Sequence, residues 1–410
     1  MAAEFYDHPS RKLLLVGITG TNGKTTTAAL IAQVLRRQGL SSVGVIGTLG
    51  ATTEKTYFDT GCTTPRSLDT QRLLAEFVDN GAEAVVIEVS SHGLGLQRCV
   101  GCAFDFAVFT NFSQDHLDFH GSMKEYWDTK MLFFTELARY SLQYKPFTAI
   151  VNIDDEKGKE LVGQVVSGYP YVTYGIESEA DVKGGDVELA PASVRFTVES
   201  EGSRGLFDVA LTGRFNVYNS LAAISCGLQR KIPMAEIQQA MNTVKAPAGR
   251  MEFINEGQEF GVVVDYAHSS GALEKILPAI REFNAGKGRL ICVFGCGGDR
   301  DHSKRSQMGA VAAELADVVV ITSDNPRSED PEKIVRDIRN GIASGADTEV
   351  VVEVDRRKAI EYAVGIARDG DFIVLAGKGH ETYQVLKDTI INFDDREVAR
   401  EALRTRKSKG

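Results

Sequence analysis

Long apolar runs are what this sequence most clearly lacks: no stretch approaches the twenty or so residues of a membrane-spanning helix. Cysteine is sparse as well, six in 410 residues, scattered as Cys62, Cys99, Cys102, Cys226, Cys292 and Cys296. The one Cys-x-x-Cys, Cys99 with Cys102, has neither a second pair nor histidines at finger spacing, so reduced thiols in a cytosolic core are expected rather than zinc. Dense Lys/Arg blocks are absent outside the short tail 404–410, and the net charge of −10 argues against a nucleic-acid partner. Residues 1–12 do not have the layout of a signal peptide. Internal repeats, low-complexity segments and a GxGxxG-plus-acid dinucleotide fingerprint are all missing. The expectation is a cytoplasmic protein with no membrane or nucleic-acid partner. What is present, 43% hydrophobic and 25% charged residues, is ordinary for a globular chain of two or three domains.

The chain is organised around Gly17–Thr27, GITGTNGKTTT. An apolar run, Leu13–Val16, precedes it and reads as a buried strand; 27–38 behind it reads as an amphipathic helix. Strand, glycine loop and helix together aim backbone N–H groups and a helix N-terminus at a phosphate. Gly20 and Gly23 permit the tight turn, Lys24 is placed to reach terminal phosphates, and the Thr25 hydroxyl to hold Mg²⁺. The spacing departs from the general P-loop, which would need glycine at Ile18.

Downstream, strands are expected at 42–47 and 84–89, with a helix at 68–80 and a Thr/Gly-rich loop before it. Glu88, a carboxylate at a strand end after the phosphate loop, is the expected Mg²⁺ partner. Strand 106–110 leads into Asp115, His116, Asp118 and His120, a polar cluster that packing does not require and that suits a metal-phosphate site. A helix is expected over 123–138, with Lys130 among apolar neighbours. A lysine there either snorkels to water or, desolvated, presents a neutral amine. Short alternating strands over 186–211 extend the sheet antiparallel, and helices at 217–229 and 233–243 close the unit. Asn216 and Asn219 share a helix face suited to a purine edge, although N-capping is the simpler role for Asn216 alone.

Residues 245–249 read as an interdomain joint, dividing the chain into 1–246 and 247–410. Five further strands (262–265, 290–295, 318–321, 350–353 and 372–376) alternate with helices. The predicted fold is α/β: a P-loop-type, mostly parallel central sheet domain with an antiparallel extension, then a doubly wound, Rossmann-like domain.

With these strings in view the chain resembles the Mur ligases, ATP-dependent amide-forming enzymes of peptidoglycan synthesis. The matches are TGTNGKTT, EVSSH, DHLDFH, GRFNVYN, GRME, VDYAH and FGCGGDRD. EVSSHGL with Arg98, DNPR at 324–327 and GKGHE at 377–381 point to the MurE branch, where DNPR accompanies meso-2,6-diaminopimelate as the incoming amino acid. The resemblance implies that Gly20, Thr21, Asn22, Gly23, Lys24, Thr25 and Thr26 wrap the ATP phosphates. It places Thr25, Glu88, His116 and a carbamylated Lys130 around Mg²⁺, and Asn216 and Asn219 at adenine. Arg250, Asp265 and His268 would complete the nucleotide site. Thr63, Thr64, Ser90 and Arg98 would hold the acceptor muramyl peptide, and Asp324, Asn325, Arg327, Gly377 and Glu381 the amino acid. Two departures stand out. The family's amino-terminal UDP-binding domain has no counterpart here, so a separate domain or subunit is a candidate partner. Ser269-Ser270-Gly271 also replaces the usual Thr-Pro after DYAH.

The implied reaction passes the γ-phosphate of ATP to a carboxylate, and an amine then attacks the acyl phosphate as the two domains close. The rivals are folylpolyglutamate synthase or the ligase half of cyanophycin synthetase, a Mur-type ligase of a recycling, cofactor or natural-product pathway with a nucleotide-free acceptor, and a catalytically silent scaffold.

Overall fold

The structure, a computed structural model, describes residues 1–37, 39–40, 42–165, 168–190, 193–283 and 288–408. They form two compact units, one of Met1–Leu189 with Ser193–Lys245, the other running from Ala246. Among the described residues no helix is long and apolar enough to cross a membrane.

The first unit is built on eleven strands: β1 (Leu14–Thr19), β2 (Val43–Gly47), β3 (Gly50–Thr52), β4 (Tyr57–Phe58), β5 (Ala84–Glu88), β6 (Phe106–Phe109), β7 (Thr148–Asn152), β8 (Tyr171–Gly175), β9 (Val182–Leu189), β10 (Val194–Ser200) and β11 (Ser203–Val209). Their order is β11-β10-β9-β8-β7-β6-β1-β5-β2-β3-β4. Neighbours from β9 through β2 run parallel, and the strands outside them are antiparallel. Near-continuous Val, Ile and Ala runs suit the parallel strands, which are buried on both faces. Strand order reverses across β1, with β5 and β2 to one side and β6 onward to the other. Such a switch point is where open α/β sheets bind ligands, at the carboxyl ends of their strands.

The second unit carries β12 (Glu252–Phe253), β13 (Gly261–Asp265), β14 (Leu290–Phe294), β15 (Val318–Ile321), β16 (Glu349–Val352) and β17 (Phe372–Ala376), in the order β12-β13-β17-β14-β15-β16. All pairs are parallel except β12 with β13. A two-stranded ribbon, β18 (Tyr383–Val385) with β19 (Ile390–Asn392), stands apart from that sheet. The fold class is the one expected from the sequence.

Several local expectations need correction. The helix expected over 123–138 is Met123–Leu132 followed by a π-turn, Phe133–Leu137, and a last turn, Ala138–Ser141. The wider turn lets adjacent Phe133 and Phe134 both enter the core. The Thr/Gly loop before residue 67 contains β3 and β4, and β12 adds an antiparallel edge to the second sheet; elements of two or three residues carry no readable periodicity. The helix expected at 27–38 starts earlier, as Lys24–Arg37, and position 38 lies outside the described residues. The helix expected at 217–229 spans Arg214–Gln229 with Gly213 as its N-cap, so Asn216 lies inside the first turn and is not a cap. The six cysteines are free thiols, five of them buried.

Candidate active site

The loop after β1 is bolted to the loop after β6. Asn111 accepts the Thr21 N–H on its carbonyl (2.8 Å) and the Asn22 N–H on its side chain (3.1 Å). Its amide and the Thr110 hydroxyl both donate to the Asn22 carbonyl. The Thr21 hydroxyl donates to the Ser113 carbonyl and meets the Tyr126 hydroxyl at 3.1 Å. Gly20, at φ +143, has Thr110 Oγ1 2.0 Å from where a Cβ would sit, so no side chain fits. Gly23, at φ +86, leaves equally little room before Asn219 Oδ1.

Two lysine amines converge on the carbonyls of this loop. Lys24 Nζ donates to Gly20 O (3.0 Å) and Thr21 O (2.8 Å), and Lys130 Nζ donates to the same Gly20 O (2.9 Å). Lys130 does not snorkel: it is buried, its Nζ 4.6 Å from the centre of the Tyr126 ring. Burial, and then the Lys24 charge, drive its pKa well below the ordinary lysine value, with Asp115 opposing. Two lysine amines donating to one carbonyl gather N–H groups that an anion could accept from.

Glu88, at the end of β5, is the second centre. It is buried and accepts from the Thr25 hydroxyl (3.0 Å), the Thr48 N–H (2.9 Å) and the Thr48 hydroxyl (3.1 Å). The Glu88 carbonyl accepts from the Thr64 hydroxyl, which lies 2.8 Å from Ser90 Oγ. Arg98 donates to the Thr64 carbonyl, and Thr48 Oγ1 meets Thr63 Oγ1 at 3.1 Å. One network thus joins Thr25 to Thr63, Thr64, Ser90 and Arg98. Thr48, its link, was not picked out from the sequence, because a lone threonine after a strand carries no signal.

The donors suit Mg²⁺. A hard cation that keeps water and takes phosphate oxygens needs only a hydroxyl and a carboxylate from the protein, as Thr25 and Glu88 offer. Among the described residues no three His, Cys, Asp or Glu side chains cluster as a metal cage would require.

The histidines form an aromatic group. His92 stacks on Phe119 (4.2 Å) and meets His116 edge-on (4.8 Å), while His120 lies tilted against Tyr126 (4.9 Å). Burial, then the neighbouring His92 and Lys130, lower the His120 pKa to about 4, so it is neutral at physiological pH. His116 sits at φ +55 beside Asp115. Asn216 and Asn219 are buried and bonded to each other (2.8 Å). Asn216 also donates to Thr212 O, and Asn219 accepts from Thr27, which ties their helix to the phosphate loop. Thr26 is buried in the first turn of Lys24–Arg37.

In the second unit Arg250 lies over Tyr266 (4.5 Å), Asp265 accepts the Met251 N–H, and His268 Nδ1 is 2.8 Å from Tyr266 O. Burial raises the Asp265 pKa, with Arg250 opposing. At the carboxyl ends of β15 and β17, Asn325 donates to Glu381 (2.8 Å) and accepts from the Val385 N–H (2.9 Å), while buried Lys378 donates to Glu381 (2.9 Å). Asp324 Oδ2 lies 2.6 Å from where a Cβ on Gly377 would sit. Arg327 pairs with neither of the nearby carboxylates, Glu329 and Asp330. Its Nη1 donates to Gly298 O (2.8 Å), because Glu329 is taken by Arg305 and His302, and Asp330 caps its own helix. The fully buried pair Arg356–Asp395 (2.6 Å) also escaped the sequence. Arg356 donates as well to Ser323 O and Ala376 O, fastening the strand ends that carry these residues.

A phosphate loop feeding a strand-end carboxylate at a sheet's switch point defines a phosphate-handling α/β enzyme. Comparison with known proteins narrows this. Residues 18–227 match the Mur ligase middle domain and 249–379 the Mur ligase glutamate ligase domain. Curated relatives include the UDP-N-acetylmuramoyl-L-alanyl-D-glutamate–2,6-diaminopimelate ligases of Geobacillus thermodenitrificans (44% identical, covering 99% of this chain and 82% of the relative) and Gloeobacter violaceus (46% identical, 100% and 81%). A solved diaminopimelate ligase structure is 33% identical with a TM-score of 0.67, covering 96% of this chain and 79% of its own. The ADP-bound folylpolyglutamate synthase of Mycobacterium tuberculosis shares the fold alone, at 17% identity and TM-score 0.74, covering 92% and 90%. The chain belongs to the Mur ligase family, on the branch of these diaminopimelate ligases. It is an ATP-dependent ligase.

Proposed function

We propose that the protein joins the carboxylate of the D-glutamate in a muramyl dipeptide to an amine of meso-2,6-diaminopimelate, with ATP, in the cytoplasm. The observation that carries this reading is the Glu88 network. It links Thr25 of the phosphate loop to Thr64, Ser90 and Arg98, so a phosphoryl donor and an acceptor carboxylate would be held by one set of bonds.

In this reading Lys24 leaves the loop carbonyls for the γ-phosphate and orients it toward the acceptor carboxylate oxygen. That oxygen forms the new P–O bond as the bond to ADP breaks. The amine then attacks the acyl carbon, loses a proton, and expels phosphate. Thr25 and Glu88 would hold Mg²⁺, which supplies charge neutralisation on the phosphates. His116 lies on the same loop cluster and would join them. Lys130, whose burial lowers its pKa, would attack CO₂ as the free amine; an N–C bond forms, a proton leaves to water, and the resulting carbamate would offer a second anionic ligand beside Glu88. Asn216 and Asn219 would face the nucleotide base. Asp324, Asn325, Arg327, Gly377 and Glu381 are assigned to the amino acid, with the Arg327 guanidinium clamping the distal carboxylate.

The test is incubation with ATP, Mg²⁺ and diaminopimelate plus either a UDP-linked or a nucleotide-free muramyl dipeptide, following phosphate release and product mass. Product on the UDP-linked arm is expected. Product only on the other arm would move the acceptor, and product on neither would overturn the reading.

A further inference from the structure

Three loops meet around Arg327, and the way they are tied assigns a role to a residue outside the site described so far. Arg327 has φ +52, a left-handed backbone that is strained for arginine, and its N–H donates to Val385 O (3.1 Å). The direction of its guanidinium is set by the carbonyls that Nη1 donates to, Gly298 O at 2.8 Å and, more distantly, Asn325 O at 3.4 Å. The loop carrying the Gly298 carbonyl is pressed against 324–329. The Gly298 N–H donates to Asn325 O (2.9 Å), and a Cβ at 298 would lie 1.9 Å from Pro326 O.

Glu329 draws the two loops together. Its Oε1 accepts from the Asp299 N–H (2.6 Å), His302 Nε2 (3.1 Å) and Arg305 Nη2 (2.8 Å), and its Oε2 from Arg305 Nη1 (3.0 Å). Asp299 returns the tie, accepting from the Ser328 hydroxyl (2.6 Å) and N–H (3.2 Å). Arg305 is fully buried, so the pair is anchored in the core of the unit.

We infer that Glu329 is a positioning residue for Arg327: by clamping 298–305 onto 324–329 it sets the Gly298 carbonyl on which the guanidinium rests, and through it the preference for an amino acid with a second carboxylate. The substrate half of this inference rests on the role proposed above for Arg327; the positional half stands on the bonds alone. The competing role is simple neutralisation of Arg305, which would leave Arg327 where it is.

Glu329→Gln keeps the shape and removes the charge, and Glu329→Asp keeps the charge one carbon short. The measurements are crystal structures of wild type and Glu329→Gln, kcat and KM for each substrate, and Tm. The expected result is Arg327 displaced from the Gly298 carbonyl in Glu329→Gln. KM for diaminopimelate should rise about tenfold or more, with much smaller changes in kcat and in KM for ATP, and the diaminopimelate-to-lysine ratio should fall. Glu329→Asp should fall between the two. Arg327 unmoved in Glu329→Gln overturns the inference, as does an equal loss in every kinetic constant accompanied by a fall in Tm. Should wild type itself ignore diaminopimelate, the functional reading fails, and the position of Arg327 in the two crystal structures alone decides the role of Glu329.

Discussion

Both sheets bring their candidate ligand residues to the carboxyl ends of parallel strands, but they balance charge differently. In the first unit Lys24 and Lys130 rest their amines on backbone carbonyls, held by hydroxyl and amide side chains around them. In the second, cations meet carboxylates: Arg305 with Glu329 and Asp337, Arg356 with Asp395, Lys378 with Glu381 and Arg396 with Asp394. Carbonyls can surrender a lysine to a stronger anion at little cost, whereas a desolvated ion pair resists any exchange of partners. The first arrangement suits a phosphate that arrives and leaves; the second suits a rigid pocket. Arg327 forms no ion pair among the described residues and rests on the Gly298 and Asn325 carbonyls, and the proposed function gives its charge to a ligand.

The most severe break is Lys24→Ala. It should lower ATP-dependent phosphate release about a thousandfold or more while leaving Tm within a few degrees, since the side chain serves phosphate and not the core. Wild-type turnover in that variant would remove the contrast between the units. Asp395→Asn should do the opposite, costing the second unit about 3–5 kcal/mol in urea unfolding because Arg356 is left buried without its anion. The double change Arg356→Met with Asp395→Leu should recover most of that loss. A single-variant cost under about 1 kcal/mol would show that water reaches the pair.

Arg327→Ala sharpens the comparison. Its kcat/KM for diaminopimelate should fall about thirty- to thousandfold, or about 2–4 kcal/mol, while lysine, lacking the distal carboxylate, changes little. Equal falls for both amino acids would take selectivity away from Arg327. Lys130→Ala should lose about a hundredfold in rate and regain part of it with added small carboxylates, which replace the carbamate oxygens. Labelled bicarbonate should give wild type a carbamate carbon signal that the variant lacks; its absence from active wild type would end the carbamate proposal.

Acid sets the smallest test. Burial pushes Asp154 up, but the N–H groups of Glu177, Ile176 and Ser178 outweigh it and hold the carboxyl down at about 2. In the second unit the Arg305 guanidinium holds Glu329 down at about 2. Both pKa values are lower folded than unfolded, so each group's stabilisation is complete above the ordinary carboxylate range and lost as pH falls from about 4 toward 2. Asp154→Asn should flatten that loss in the first unit alone and Glu329→Gln in the second alone, read by unit-specific hydrogen exchange. Identical acid curves in both variants would show that the units do not titrate independently.

The strands, their parallel pairing and the phosphate loop were legible because each is a local pattern: a run of Val and Ile, a glycine spacing, a helix period. The meeting of Thr25 with Glu88 was legible for the same reason, both lying at fixed offsets from a strand end. Thr48 and Glu329 were not, since Thr48 matters through partners 15 and 40 residues distant and Glu329 through partners 24 to 30 residues distant. The π-turn at Phe133–Leu137 was equally hidden, because a one-residue change of helical register leaves the apolar pattern almost intact.

By itself the sequence determined that two α/β sheets would form, that a glycine loop over Gly20–Thr26 would follow the first strand, and that Arg327 would follow a strand of the second sheet. Those follow from backbone sterics and apolar periodicity, which act over a few residues. Only the tertiary structure decided that Lys130 would be buried beside Lys24, that Glu88 would reach Thr25 and Thr48 together, and that Arg327 would rest on Gly298 and not on a surface carboxylate. Those depend on which polar groups lose water together, and desolvation is a property of the packed whole.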